Sequence, residues 1–201
     1  MIDKGILTDT GLTETEKEAQ YNARKNLASA QKAYPHALDQ KEGKIGRRLG
    51  NIDDPQEKLR VLLKLADELY QPLQRFTPCK KGCSSCCRMP DIHVSELEAS
   101  EIVAKTGSEI SPSPRRDHTQ EPCPFLNEET CGIYDYRPFF CRTHVVFSRT
   151  PTWCAPEKCN QLEISMIRFP NLRQAYMDLP KGEIRDIRQM FAPRRGEAGT
   201  H

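Results

Sequence analysis

The nine cysteines of this 201-residue sequence all lie in its middle part, and none precedes residue 79 or follows residue 159. They are Cys79, Cys83, Cys86, Cys87, Cys123, Cys131, Cys141, Cys154 and Cys159. In a reducing compartment such a cluster is typical of metal ligation rather than of disulfides. An odd number of cysteines also fits a closed set of disulfides poorly. The cysteines therefore predict an irregular segment whose fold depends on a metal held by thiolates.

Four of these thiols fall within one short run, CKKGCSSCC, from Cys79 to Cys87. Spacings of two or three residues let one turn of backbone direct several sulfur atoms at one point, and Gly82 gives the loop conformational freedom. Thiolates select zinc, copper(I) or iron–sulfur clusters over hard cations such as magnesium. Cys86 and Cys87 are adjacent, and neighbouring side chains diverge in a regular backbone. We therefore expect these two cysteines to serve two different sites, or one of them to be a spare thiol.

The second half of the stretch supplies further donors, which are Cys123, Cys131, Cys141, His144, Cys154 and Cys159. His144 lies three residues after Cys141, a spacing that also suits joint ligation. The nine thiols and this imidazole are enough for two four-ligand sites with two groups left over. We therefore predict that all nine cysteines and His144 are metal ligands.

Cationic residues accompany the cysteines. Lys80 and Lys81 lie inside the first run, and Arg137 and Arg142 flank Cys141. Several thiolates around a metal leave a net negative centre, and nearby cations favour thiolates and can donate hydrogen bonds to sulfur. We expect Arg142, which directly follows a candidate ligand, to support the metal site.

The overall composition points to no particular macromolecular partner. The formal net charge is +2, with 37% hydrophobic and 29% charged residues. This balance favours neither nucleic acid nor a membrane surface. No apolar run is long enough to span a bilayer, and the first ten residues lack the apolar stretch of a secretory signal. We therefore expect a cytoplasmic protein that does not bind membranes. Nucleic acid is not an expected partner.

Capping signals and apolar periodicity predict several helices. They cover residues 14–34, 54–73 and 95–106, with Thr13, Asp54 and Ser95 at their starts and Gly107 after the third. Residues 161–169 and 182–191 are also predicted helices, and the glycine-punctuated stretch 43–50 is predicted to be a linker or a short turn. No helical or strand period persists over residues 123–159.

These elements predict a mainly α fold, with helices around an irregular, cysteine-liganded metal centre and little or no β-sheet. The predicted organisation is a helical N-terminal arm and linker over residues 1–53, followed by a cysteine-cluster metal-binding domain with flanking helices over 54–192. A flexible tail is predicted over 193–201. The cysteine-free arm suits docking to a protein partner.

The cysteine motifs resemble those of a zinc- or iron-chelating cysteine-cluster family (YkgJ-like). The matching motifs are CxxxCxxCC at Cys79–Cys87, Val94-Ser95 with Glu98, CPFL at Cys123–Leu126, and CxIYxxRPxxCR at Cys131–Arg142. The resemblance covers roughly residues 79–159. It implies that the cysteines chelate a metal, and it implies no particular reaction.

Zinc and an iron–sulfur cluster are both compatible with this donor set. Zinc would favour two closed tetrahedral sites that act as staples. An iron–sulfur cluster suits the tight group of Cys79, Cys83 and Cys86, and it suits the surplus of thiols. We favour the cluster on these grounds, while the residues leave both alternatives open.

Three classes of function follow from this reading. The first is a metal-binding module that has a structural, partner-binding or metal-handling function. The second is an iron–sulfur or thiol-based enzyme, either an oxidoreductase or a methyltransferase like the flagellin lysine N-methylases, whose cysteine cluster is similar. No glycine-rich cofactor loop follows a predicted strand to favour this class. The third is a redox sensor, with Cys87 as the expected reactive thiol.

Overall fold

The structure is a computed structural model that describes residues 11–89, 91–111, 121–159, 161–162, 164 and 166–191. Its helices are α1 (Glu14–Ala33), α2 (His36–Glu42), α3 (Ile45–Leu49), α4 (Pro55–Tyr70), α5 (Glu96–Thr106), α6 (Phe139–Thr143), α7 (Pro170–Met177) and α8 (Ile187–Met190). Its strands are β1 (His93–Ser95), β2 (Leu126–Asn127), β3 (Thr130–Cys131) and β4 (Ile184–Asp186). The predicted mainly α fold is confirmed, because these residues form only two short antiparallel sheets, β1–β4 and β2–β3. The predicted tail over 193–201 lies outside the described residues.

The helix starts read from the sequence are confirmed. Thr13 and Glu16 form a reciprocal capping box at α1. The Asp54 side chain accepts from two backbone N–H groups at the start of α4, and Pro55 occupies the first turn. These caps satisfy N–H groups that have no partner within the helix. None of the helices in the described part of the chain is both long and apolar enough to cross a bilayer.

The larger hydrophobic core surrounds α4. Leu59, Leu62 and Leu69 of this helix are fully buried, and α6 and α7 pack against it. The prediction of a linker or short turn at 43–50 holds for the turn at residues 43–44 and is wrong for Ile45–Leu49, which form α3. Ile45 and Leu49 lie four residues apart, on one helix face, and both are buried in this core. Burial of this face outweighs the glycines that flank the helix.

Helix α1 lies against the same core. Ala30 is fully buried, and Leu27 is partly buried beside it. The Asn26 side-chain amide donates to the Phe147 carbonyl at 3.0 Å, and the Tyr34 hydroxyl donates to a carbonyl of α4, also at 3.0 Å. The division of the chain into an arm over 1–53 and a domain over 54–192 stays a prediction.

Two of the predicted helices differ in the structure. The described residues between 161 and 169 are irregular, and α7 begins only at Pro170. Proline fits the first turn of a helix but cannot continue one from before it. The predicted helix over 182–191 is divided into strand β4 and the short helix α8. Strand β4 forms because β1 offers it an antiparallel partner that is distant in sequence.

A smaller second core joins the cysteine segment to β1, α5 and α8. Its buried apolar residues are Ile92, Val94, Ala99, Ile102, Phe125, Ile133, Ile187, Met190 and Phe191, and Cys87 and Cys123 belong to the same cluster. Helix α5 has the predicted capping box at Ser95 and ends at Gly107, which has the left-handed conformation that glycine tolerates. The cysteine segment therefore packs on a scaffold of regular elements.

A buried ion pair ties this scaffold to the cysteine segment. Arg188 and Asp186 are almost fully buried, and their side chains meet at 3.1 Å. The Arg188 guanidinium also donates to the carbonyls of Met89 at 2.6 Å and Glu121 at 2.5 Å. Since every one of these groups is withdrawn from water, each needs the others as partners.

The buried carboxylate of Glu98 connects three helices. It accepts from the Ser95 backbone N–H at 2.9 Å, from the Tyr176 hydroxyl at 2.7 Å and from the Phe139 backbone N–H at 2.6 Å. Helices α5, α6 and α7 are thereby held at one point. The Tyr176 ring also stacks on that of Phe139, with centroids 4.2 Å apart.

Replacing Tyr176 by Phe should destabilise the protein. The change removes a buried hydrogen bond to a carboxylate, and we expect the free energy of unfolding to fall by about 1.5–3 kcal/mol. Chemical denaturation followed by circular dichroism measures this difference. The matched control is Tyr21→Phe, since Tyr21 is 65% exposed, and it should change stability by less than about 0.5 kcal/mol. Equal effects of the two changes would contradict the structure around Glu98.

Candidate metal centre

The first four cysteines lie on two consecutive tight turns. Cys79 and Cys83 flank a turn in which Gly82 has a φ of 95°, a conformation that favours glycine. Cys86 and Cys87 then lie on a 3₁₀ helix, Ser85–Arg88. Both side chains line the same cavity, although neighbouring side chains were expected to serve two different sites. The tighter 3₁₀ turn replaces the regular backbone on which that expectation rested.

Cys123 and Cys131 are placed by a small hairpin. The Cys123 backbone N–H donates to the Cys87 carbonyl at 2.7 Å, which joins the hairpin to the first cysteine run. Strands β2 and β3 then bring Cys131 back beside Leu126. A Cβ at Gly132 would lie 3.0 Å from the Phe125 carbonyl oxygen, so this close crossing needs glycine.

The remaining candidate ligands come from α6 and the turns that follow it. Cys141 lies within α6, and His144 is its C-terminal capping residue. Cys154 ends the 3₁₀ helix Pro151–Cys154 and is buried. Burial lowers the pKa of His144 below its usual value. Its imidazole is therefore neutral at neutral pH, which is the form that binds metal ions.

One cavity of about 60 Å³ collects these groups. Every cysteine except Cys159 lines it, together with His144. Cys159 lies on a neighbouring turn, and its thiol is 3.3 Å from the Pro156 carbonyl oxygen. The structure thus brings together all but one of the donors proposed from the sequence.

The thiols around the cavity form two adjoining groups. The inner group consists of Cys86, Cys87, Cys123, Cys131 and Cys141. Within it, Cys87 hydrogen-bonds to three of its neighbours, and Cys141 lies within electrostatic range of three. The outer group consists of Cys79, Cys83 and Cys154, and Cys86 lies within range of the outer thiols as well.

Close contacts between the inner thiols shift their pKa values in opposite directions. Hydrogen bonds to Cys123, Cys131 and Cys86, together with burial, raise the pKa of Cys87 far above its usual range. The hydrogen bond from Cys87 lowers the pKa of Cys131 to about 7, with a smaller contribution from the Arg137 charge. Reactive thiols are exposed and have low pKa values, whereas Cys87 is buried. The reactivity of Cys87 stays a prediction, and the partly exposed Cys131 is a second candidate.

Burial acts in the opposite direction on the other thiols. It raises the pKa of Cys141 well above the usual range and that of Cys154 to about 12. Burial also raises the pKa of Cys79. A thiolate withdrawn from water needs a nearby positive charge. A bound cation would supply that charge to all of these sulfur atoms at once.

The two arginines beside Cys141 have different surroundings. Arg142 is only 6% exposed, forms an ion pair with Asp67, and donates to the carbonyls of Arg137 at 2.7 Å and Asp135 at 3.0 Å. Through these contacts, the Arg142 guanidinium holds the segment that carries Cys141. The structure therefore assigns Arg142 a structural function.

Arg137 is the cation that acts on the thiols. It lines the cavity, stacks over the Tyr134 ring at 4.1 Å, and its charge lowers the pKa of both Cys86 and Cys131. Its Nε–H is buried and has no hydrogen-bond partner among the described residues. A buried donor of this kind is suited to a sulfur atom that carries negative charge.

The chemical types of these donors suit zinc or iron, because both metals bind thiolates and neutral imidazole. Among the described residues, no three cysteine, histidine or carboxylate side chains are already arranged as ligands of one ion. The cavity therefore holds suitable donors close together, and side-chain rotation would be needed to direct them at one ion.

Replacing Arg137 by Gln should slow alkylation of Cys131 in metal-free protein. The pKa of Cys131 is about 7, and loss of the nearby cation raises it, so less thiolate is present at pH 7. We expect the rate to fall up to about tenfold, which corresponds to about one pKa unit. Limited iodoacetamide labelling followed by peptide mass spectrometry measures this rate. Arg149→Gln, at an exposed arginine, is the control, and equal rates in both variants would contradict the assignment.

Comparison with known proteins agrees with this picture. Residues 78–160 match the model of the CxxCxxCC family, described as "Putative zinc- or iron-chelating domain". No curated protein and no solved structure gives a significant match. The matched range holds all nine cysteines and is less than half of the chain. The cysteine segment, residues 78–160, is therefore similar to the CxxCxxCC family, whose model describes a zinc- or iron-chelating domain.

Proposed function

We propose that the cysteine cavity binds more than one metal atom, either as an iron–sulfur cluster or as two zinc ions. The observation that carries this proposal is the single cavity lined by every cysteine except Cys159. A structural zinc ion takes four ligands, and the cavity offers twice that number of thiols together with His144. Isolated buried cysteines are common, but thiols gathered around one space from four separate turns are not explained by packing alone.

We favour the iron–sulfur cluster for the inner group. Its five thiols interact with one another, as the ligands of a multinuclear cluster must converge. Two zinc ions would instead require the thiols to divide into two sets of four. The outer group would then need Cys159, whose thiol contacts the Pro156 carbonyl, or a share of Cys86. In both arrangements the proposed ligands come from the eight cysteines that line the cavity and His144, and Cys159 is a candidate ligand only for paired zinc ions.

Metal binding is proposed to rearrange the thiols and to stabilise the cysteine segment. The protons now shared between Cys87 and its neighbours would be released, and the side chains would rotate toward the metal. A ligand that binds only the folded state adds to the free energy of unfolding. The cysteine segment has little regular structure of its own, so it would gain most from this contribution.

The proposed biological function is that of a metal-binding module that presents or handles its metal for a protein partner. The N-terminal arm over 1–53 is the proposed docking element, because Tyr21 is a large exposed apolar residue on α1. We place this function in the cytoplasm, where thiols stay reduced. The alternative is an enzyme or redox sensor, and the pKa of about 7 at Cys131 is the observation that favours reactivity.

The first test is anaerobic purification followed by elemental analysis, sulfide determination and a visible spectrum. Iron with acid-labile sulfide and a broad band near ~400 nm would establish a cluster. Two zinc ions per chain without colour would establish paired zinc sites. A protein that takes up neither metal, before or after reconstitution, would overturn the proposal.

Serine variants test which thiols hold the metal. We expect Cys131→Ser, in the inner group, to lose most of the metal, because one ligand of a closed site is removed. Cys159→Ser is the matched control, since Cys159 is the one cysteine outside the cavity, and it should keep most of its metal. Metal content per folded chain, with folding checked by circular dichroism, gives the comparison. Equal retention in both variants would contradict the inner site.

A further inference from the structure

A second and larger cavity lies beside the cysteine cavity. It has a volume of about 260 Å³, close to the lower end of small-molecule sites, which is about 300 Å³. The two cavities share the side chains of Tyr70, Cys86, Ile92, Cys141 and His144. One wall of the larger cavity is therefore formed by candidate metal ligands.

Another part of the lining is apolar. It includes Phe140, which has edge-to-face contacts to Phe139 at 5.7 Å and Tyr176 at 5.5 Å. Phe169 and Leu172 are buried beside it and belong to the larger core. A wall whose rings are already packed loses little entropy when a ligand binds. It suits a flat or branched apolar group.

Two exposed arginines, Arg168 and Arg173, line the larger cavity. The Arg173 guanidinium lies 5.9 Å from the Phe140 ring centroid. Burial raises the pKa of Tyr70, and the Arg168 charge opposes this effect, which places that charge within reach of the cavity wall. No ion pair joins either arginine to a carboxylate that the structure describes. Asp91 is the acidic side chain among the described lining residues.

We propose that this cavity binds a small organic anion, whose apolar body rests on Phe140 and whose carboxylate or equivalent group pairs with Arg168 and Arg173. Arginine forms bidentate hydrogen bonds with carboxylates. The distal end of the ligand reaches the wall of Cys86, Cys141 and His144. The protein thus has an organic ligand site that adjoins its metal centre. This inference goes beyond metal chelation, and the residues proposed to hold the anion, Phe140, Arg168 and Arg173, are not candidate metal ligands.

The test uses two probes of nearly equal shape and different charge. Benzoate carries the anionic group on an aromatic ring, and benzamide replaces that group by a neutral one. Isothermal titration calorimetry on the full-length protein as purified, with its metal content measured on the same sample, gives both affinities. We expect benzoate to bind about tenfold more tightly than benzamide, since a hydrogen bond to a charged group is worth about that factor. Absence of benzoate binding in the millimolar range, or equal affinities, would overturn the proposal.

Variants locate the site. Arg168→Gln combined with Arg173→Gln should remove the preference for benzoate, and Phe140→Leu should weaken both probes. Arg24→Gln combined with Arg149→Gln, at two exposed arginines outside the cavity, is the charge-matched control and should bind like the parent protein. Loss of preference in the control, or its persistence in the double variant, would contradict the assignment. Metal uptake is measured separately, so benzoate binding by a protein that takes up no metal even after reconstitution would overturn the proposed metal site and leave the organic ligand site standing.

Discussion

The buried carboxylate of Glu98 fixes the position of the helix that carries Cys141. It caps α5 through Ser95, accepts the first N–H of α6 at Phe139, and receives the Tyr176 hydroxyl from α7. A carboxylate withdrawn from water is tolerated only when several donors surround it. Because these donors come from three separate helices, satisfying the carboxylate also brings α6 against both cores. The cavity of the cysteines and the larger cavity beside it both depend on that placement.

The thiols near the end of α6, unlike the Glu98 carboxylate, lack enough partners for the negative charge that they would carry as thiolates. They are numerous, close together and partly buried, so each added negative charge raises the pKa of its neighbours. Arg137 offsets part of this repulsion, whereas Arg142 is engaged by Asp67 and two carbonyls. The cationic side chains that line the cavity, Lys80, Arg137 and Arg142, are too few to balance eight thiolates. The remaining imbalance is the physical reason to expect a multivalent cation or cluster among them.

The sequence predicted what is locally determined and missed what depends on distant partners. The caps at Thr13, Asp54 and Ser95 could be predicted because each cap acts within four residues. Strand β4 could not, because its partner β1 lies about ninety residues earlier. The donors of the cavity were predicted from their chemical type, while the exclusion of Cys159 depends on one local turn. The larger cavity has no sequence signal, since its aromatic residues and its arginines come from different helices and loops.

The shared wall makes the two cavities thermodynamically dependent on each other. Cys86, Cys141 and His144 face both spaces, so any movement of these side chains toward a metal changes the surface that an organic ligand meets. A ligand that alters metal affinity must have its own affinity altered by the same factor. Titrating the metal-loaded protein with a chelator, in the presence and absence of saturating benzoate, measures this coupling. We expect a change of about fivefold, at the lower end of typical couplings, because only three residues are common donors. An unchanged chelator titration would mean that the wall does not move, and that the two sites act independently.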